Sequence, residues 1–296
     1  MNRRNMLKTA AALAGATVVT GIGSKMFAQD DVQGQGFYSG GTPWADLLGW
    51  KVGCQAYSFR IFTAEEAIKK NAAMGLRYIE LFPGQTLSEK SDAKIGPDMN
   101  KEERYLLKSI LAEHGVTPMS IGVIGANRAV FDFAADMGIE NVNSEPEFKD
   151  LQELDAIAQE YKINLVLHNH PKPSKYWDYN VVLEQIKDLS PWVGTCTDTG
   201  HYVRSGIDPL EAVKALKGRI KTFHFKDLNE KDRRGHDVVW GTGVCQIAEI
   251  LKELKEQKFR GPFFAEYEHN WENSLPEIAA SMDFFNQQAQ KLAKEG

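Results

Sequence analysis

From Lys51 onward, short β-branched or aromatic runs alternate with amphipathic stretches eight times without a break. The runs read as strands at Lys51–Ser58, Tyr78–Phe82, Val116–Ile121, Glu140–Ser144, Ile163–Asn169, Val193–Thr197, Ile220–Phe225 and Pro262–Tyr267. Helices follow them at Ala64–Met74, Lys101–His114, Arg128–Met137, Glu147–Tyr161, Val181–Leu189, Pro209–Leu216, Val244–Gln257 and Leu275–Leu292. Thr63 is placed to cap the first helix, and Gly115 and Gly138 to stop the second and third. An unbroken strand–helix order requires parallel strands, because parallel neighbours are joined by crossovers. Eight such units close into a (β/α)8 TIM barrel. The competing open sheet usually carries G-x-G-x-x-G after a strand, and none follows a strand here.

The chain ahead of these units has a different character. Asn2-Arg3-Arg4-Asn5-Met6-Leu7-Lys8 precedes an apolar, small-residue stretch from Thr9 to about Ile22. Paired arginines before such a stretch read as a twin-arginine export signal over residues 1–28, with cleavage after Ala28 and a periplasmic destination. The apolar run is shorter than the ~20 residues that span a bilayer, so no stable membrane span is expected once the signal is removed. Residues 29–45, rich in Gly and polar side chains, read as a linker, and residues 46–296 as the barrel.

Composition narrows the function. With 43% hydrophobic and 25% charged residues, the chain has the make-up of an ordinary globular protein. A net charge of −5 argues against nucleic acid as a partner, since that contact is made mainly by Lys and Arg. Cys54, Cys196 and Cys245 form no C-x-x-C, and the first two sit inside strand-like runs, as buried thiols do. Oligomeric state is left open.

The chemistry gathers at the ends of four consecutive strands. I-N-L-V-L-H-N-H ends at His170, V-G-T-C-T-D at Asp198, I-K-T-F-H-F-K-D at Asp227 and P-F-F-A-E-Y-E at Glu268. Residues two apart on a strand share a face. Val166, His168 and His170 therefore align, as do Cys196 with Asp198, Thr222 with His224 and Lys226, and Phe264 with Glu266 and Glu268. If those faces look inward, apolar or small residues fill the barrel and polar ones cap its C-terminal mouth. His168, Asp198, His224 and Glu266 are then the expected ligands of a divalent metal, with His170, His201, Lys226 and Glu268 one layer further out. Singly, each has a plainer role: Asp198 in an Asx turn, His224 as a satisfied core histidine. Four ionisable groups at equivalent strand ends are a different matter, because burying them is costly unless they are paired or metal-bound. Two long connections, Pro83–Asn100 and Asp227–Gly243, leave C-terminal strand ends and read as lids. The second carries Trp240, a candidate substrate contact.

With these motifs in place, the chain resembles the xylose isomerase-like TIM-barrel superfamily, in its sugar phosphate isomerase/epimerase branch. The resemblance rests on G-C-Q-A-Y-S-F at Gly53–Phe59, D-T-G-H at Asp198–His201, H-F-K-D at His224–Asp227, G-T-G at Gly241–Gly243 and A-E-Y-E at Ala265–Glu268. It implies Asp198, His224 and Glu266 as ligands of Mn²⁺, Mg²⁺, Co²⁺ or Zn²⁺, and His201 as a contact to substrate oxygens. In typical members the fifth strand ends in a Glu that is both ligand and base; here H-N-H puts His168 in that position. Imidazole shifts the preference towards Mn²⁺, with Zn²⁺, Co²⁺, Fe²⁺ or Mg²⁺ as alternatives, and it puts the symmetric two-carboxylate mechanism in doubt. Glu145 is a candidate for the missing carboxylate, or simply marks a helix start beside Pro146.

The expected activity is a metal-dependent sugar isomerase or epimerase that removes a proton beside a carbonyl. Glu266 with His168 or His170 moves the proton, and His201, Lys226, Glu268 and Trp240 bind substrate. The alternative is a lyase or hydrolase that cleaves 3-keto-glycosides by β-elimination, favoured by export and by the H-N-H departure. An apurinic-site endonuclease needs more zinc ligands and a basic face. A non-catalytic sugar-binding protein would keep the ligands without turnover.

Overall fold

The structure is a computed structural model that describes residues 36–295; the stretch read as an export signal and most of that read as a linker lie outside the described residues. In chain order the elements are α1 Pro43–Leu47, β1 Lys51–Gln55, α2 Ala64–Ala73, β2 Tyr78–Leu81, β3 Thr86–Ser88, β4 Ser91–Lys94, α3 Lys101–Glu113 and β5 Thr117–Ile121. Next come α4 Arg128–Met137, β6 Asn141–Ser144, α5 Leu151–Tyr161, β7 Asn164–His168, α6 Tyr179–Ile186, β8 Val193–Asp198, α7 Thr199–Arg204 and α8 Pro209–Ala215. The chain ends with β9 Ile220–Phe225, α9 Ile247–Glu256, β10 Pro262–Ala265 and α10 Leu275–Lys294.

Eight strands close into a barrel in the order β1-β10-β9-β8-β7-β6-β5-β2, and β3 and β4 form a separate hairpin. Every barrel pairing is parallel, and closure is made where β1 meets β10, with Lys51 opposite Pro262. The expected (β/α)8 barrel is therefore the fold.

Alternation sorts the strand residues as expected. Phe223, Phe225 and Phe263 point out of the barrel into an aromatic layer with Trp50 and Phe285; Phe223 stacks on Phe263 at 5.0 Å between ring centres. The inward face is more polar than expected. Gln55, Glu80, Asn143 and His224 form a hydrogen-bonded chain across the lumen, all fully buried.

Capping explains where the helices begin and end. Thr63 with Glu66, and Asn100 with Glu103, form reciprocal capping boxes at α2 and α3. Gly115 and Gly138 adopt φ of 64° and 72° just past α3 and α4, a left-handed conformation that suits glycine. Helix α1 begins at Pro43, inside the stretch read as linker, and the Trp44 amide donates to Asn286 Oδ1 on α10 at 3.1 Å.

The two long connections are both ordered. Within Pro83–Asn100, the β3–β4 hairpin is held down by buried Leu87, while Gln85 Nε2 donates to the carbonyls of Phe59 and Phe62. After β9, Asp227 gathers its own loop: Oδ2 accepts from the amides of Gly241 and Gly243, and Oδ1 from Cys245. A Cβ on Gly243 would sit 2.4 Å from Asp227 Oδ1, so the second glycine of G-T-G is what lets the backbone reach the carboxylate. Gly243 and Cys245 serve this cradle through their amides, and α9 starts only at Ile247. Among the described residues, no helix is long and apolar enough to cross a membrane.

Candidate metal centre

The C-terminal ends of β7, β8, β9 and β10 bring His168, Asp198, His224 and Glu266 together. Each offers one ligand atom, and the four atoms lie within 4.8 Å of one another. All four residues are buried. D-T-G-H proves to be more than a turn: Asp198 is the N-cap of α7, its Oδ1 accepting from the His201 amide at 2.7 Å while Oδ2 faces the cluster. Asn169 braces the same residue from β7, exchanging hydrogen bonds with the Asp198 main chain.

The two histidines are oriented alike. His168 Nδ1 lies 3.1 Å from Glu145 Oε1, and His224 Nε2 lies 2.8 Å from Glu80 Oε1. The remaining nitrogens, His168 Nε2 and His224 Nδ1, are buried and make no hydrogen bond. His224 Nδ1 comes within 3.1 Å of Glu266 Oε2, and His168 Nε2 within 3.7 Å of Asp198 Oδ2, both without hydrogen-bond alignment. Orphaned buried polar atoms are rare and need a partner. A carboxylate on the outer nitrogen, with the inner nitrogen free among carboxylates, is how metal-ligating histidines are held. The residues fit a divalent ion, taken by these two nitrogens, Asp198 and Glu266.

The outer layer is partly as expected. Lys226 is fully buried; its Nζ lies 2.8 Å from Asp198 Oδ2 and 2.6 Å from Glu266 Oε2, and also pairs with Glu268 Oε1. His201 Nε2 lies 3.5 Å from Asp198 Oδ2, and Arg204 Nη1 approaches its Nδ1 at 3.2 Å. Arg204 has only protons to offer, so His201 Nδ1 accepts and the ring proton sits on Nε2, facing the site. His170, about half exposed, stands at the rim with Nδ1 2.5 Å from Glu145 Oε1.

Trp240 is a correction. It is 2% exposed and packs at 5.1 Å from Phe225 and 5.8 Å from Phe285, between barrel and α10. Its amide donates to Ser281 Oγ, so it anchors the loop and does not face the mouth. The aromatic residues at the strand ends are instead Tyr57, Phe82 and Trp271, which follow β1, β2 and β10. Tyr57 meets Phe82 and Trp271 edge-on at 4.9 and 5.5 Å, and the Arg60 guanidinium lies 3.7 Å from the Trp271 ring centre.

Charge is distributed by these contacts. Burial opposes ionisation of Asp198 and Glu266, but Lys226 and His168 around Asp198, and His224 and Lys226 around Glu266, hold both carboxyls well below their ordinary range. Burial likewise opposes the charged form of Lys226, yet Asp198, Glu266 and Glu268 keep it well above its usual value. For His224, burial is outweighed by Cys196, Glu266 and Glu80, which raise it well above ordinary. Of these the carboxylates bear the charge, since burial keeps the Cys196 thiol protonated. His201 goes the other way: burial, with Lys226 and His168 adding, prevails over Asp198 and keeps it neutral.

Two positions that shape the cluster are not marked by the sequence. Glu80, one residue from the end of Y-I-E-L, obeys the same strand-end rule as the other four, but on β2, away from the consecutive set. Asn143, on N-V-N-S, donates to Glu80 Oε2 at 2.7 Å and carried no chemical signal of its own. Glu145, a candidate for the missing carboxylate, stands behind both histidines and is bonded to each.

Known proteins agree with this architecture. The model of the xylose isomerase-like TIM barrel family matches residues 68–288. An inosose dehydratase from Clostridium perfringens (strain 13 / Type A) is 29% identical over 175 residues, 52% of this chain and 56% of that protein. The match thus spans little more than half of that relative's length. An uncharacterized protein from Parabacteroides distasonis ATCC 8503 is 32% identical, with a TM-score of 0.67 over 81% of this chain and 99% of the other. A xylose isomerase-like barrel protein from Mycobacterium smegmatis, solved in complex with magnesium, shares the fold at a TM-score of 0.67 and 15% identity, over 82% and 97% of the two chains. With its closed eight-stranded barrel and a family match over most of its length, this chain belongs to the xylose isomerase-like TIM barrel family.

Proposed function

We propose that the protein is a divalent-metal-dependent lyase acting on a keto-sugar or keto-glycoside. It removes the proton beside the carbonyl and expels the oxygen substituent on the next carbon. The observation that carries this reading is the inequality of the groups around the cluster. Glu266 is a carboxylate kept ionised by His224 and Lys226, whereas the β7 position holds His168 and His170, both tied to Glu145. Epimerisation by two bases needs a pair of similar proton acceptors. Elimination needs one acceptor for the C–H proton and one donor for the departing oxygen. Glu266 suits the first task, and His170, at the rim and backed by Glu145, suits the second. The dehydratase relative has an activity of the same class, loss of water.

A divalent ion held at His168, Asp198, His224 and Glu266 supplies Lewis-acid polarisation of the substrate carbonyl. His201, neutral with its proton on Nε2, donates a hydrogen bond where negative charge develops. Tyr57 and Trp271 offer apolar ring surface to the C–H faces of a sugar.

The isomerase or epimerase reading shares the first step and differs in the fate of the C–O bond. Incubating the purified, metal-loaded protein with 3-keto-glycosides and with inososes in deuterated water separates the two. Release of aglycone or loss of water supports the lyase. An isomer or epimer carrying solvent deuterium, with every C–O bond retained, would return the assignment to an isomerase.

A further inference from the structure

A second set of potential ligands adjoins the first. His201, Glu266 and Glu268 also place one potential ligand atom each within 4.8 Å of one another, His201 being able to ligate only on giving up its Nε2 proton, and Glu266 belongs to both sets. Two sets joined by a bridging carboxylate have the layout of a two-metal site, whose ions stand about 3.5–4 Å apart. In this protein a cation is already present there. Lys226 Nζ pairs with Glu266 and Glu268 from the second set and with Asp198 from the first.

We propose that Lys226 is a tethered cation filling what would otherwise be a second divalent-metal position, so that the native site takes a single ion. The proposal rests on the metal reading above. Charge is consistent with it: the carboxylates of Asp198, Glu266 and Glu268 are neutralised together by one ammonium and one divalent ion. A second divalent ion beside the ammonium would leave excess positive charge in a buried place, which is costly. The lysine is also held from behind. The Lys226 amide donates to Thr199 Oγ1 at 2.9 Å, and Thr199 Oγ1 donates to the Lys226 carbonyl at 2.7 Å. Its stem lies against Gly200, where a Cβ would sit 3.0 Å from Lys226 Cβ and 3.1 Å from Cδ. The glycine of D-T-G-H thus makes room for the lysine of H-F-K-D. A fixed ammonium contributes charge and no vacant coordination position, which leaves one metal alone to engage the substrate.

The test uses Mn²⁺ and the full chain. Metal-depleted protein is equilibrated with Mn²⁺, and bound metal is counted by elemental analysis while electron paramagnetic resonance reports whether the ions are isolated or spin-coupled. Wild type should take one ion with an isolated-ion spectrum. Lys226→Met should take two, spin-coupled, and adding Glu268→Gln should return it to one. A wild type that takes two ions, or a folded Lys226→Met that takes one, overturns the inference while leaving the metal reading intact. A wild type that takes none overturns both. If the methionine variant does not fold, Lys226→Gln serves in its place, and wild-type stoichiometry up to millimolar Mn²⁺ remains decisive.

Discussion

His224 Nε2 lies 2.8 Å from Glu80 Oε1, across the lumen and 144 residues away in sequence. β2 and β9 are not neighbours in the barrel, so the contact spans its interior. It leaves His224 Nδ1 as the nitrogen that faces Glu266. Glu80 therefore fixes which nitrogen of a β9 histidine is left to face the candidate ligand cluster.

Glu80→Gln removes no ligand but weakens that hold. Metal affinity should drop about 10–100-fold, the usual effect of losing the partner behind a ligating histidine. Competition with a chromophoric chelator measures it. An unchanged affinity would show that the pair only fills the barrel.

Metal binding should release protons. The raised His224 contributes stability to the metal-free protein that is fully present below an ordinary imidazole pKa of ~6.5 and fades as pH rises through the higher folded value. A ligating imidazole must be neutral, so metal affinity should fall as pH drops through that raised value. Calorimetry in buffers of different ionisation enthalpy reads the protons released near neutral pH; a buffer-independent heat would contradict the assignment.

His168→Glu restores the carboxylate that typical family members carry. Metal should be retained, and the pH below which the ion and with it turnover are lost should move down, since the intrinsic ionisation of the ligand falls from ~6.5 to ~4.3. His168→Ala should lower both metal content and turnover. Wild-type values in the alanine variant would make His168 a strand cap and pass its role to His170.

Two tryptophans should separate stability from recognition. Trp240→Ala empties a buried aromatic site and should cost about 3–5 kcal/mol of stability, seen as a lower melting temperature. Trp271→Ala should leave melting nearly unchanged and raise KM several-fold for a glycoside substrate. The reverse pattern would put Trp240 back at the mouth.

How far the chain could be read in advance depended on the kind of signal. The barrel was legible because strand and helix periods alternate from Lys51 to Leu292 and the early units carry their own caps and stops at Thr63, Gly115 and Gly138. His168, Asp198, His224 and Glu266 were legible because equivalent strand ends converge in a closed barrel. Glu80 and Asn143 were not, since a contact across the lumen depends on barrel radius and stagger, which no local pattern encodes. Trp240 misled for a related reason: a tryptophan in a long loop looks exposed until Asp227 is seen folding that loop back onto Phe225 and Phe285.

The most direct measurement is the metal content of the purified chain, beside that of Asp198→Asn and His224→Ala. The wild type should hold about one divalent ion per chain. Either variant should lose ion and turnover together while circular dichroism still reports a folded barrel. Full turnover in a chelated sample shown to be metal-free would contradict the account.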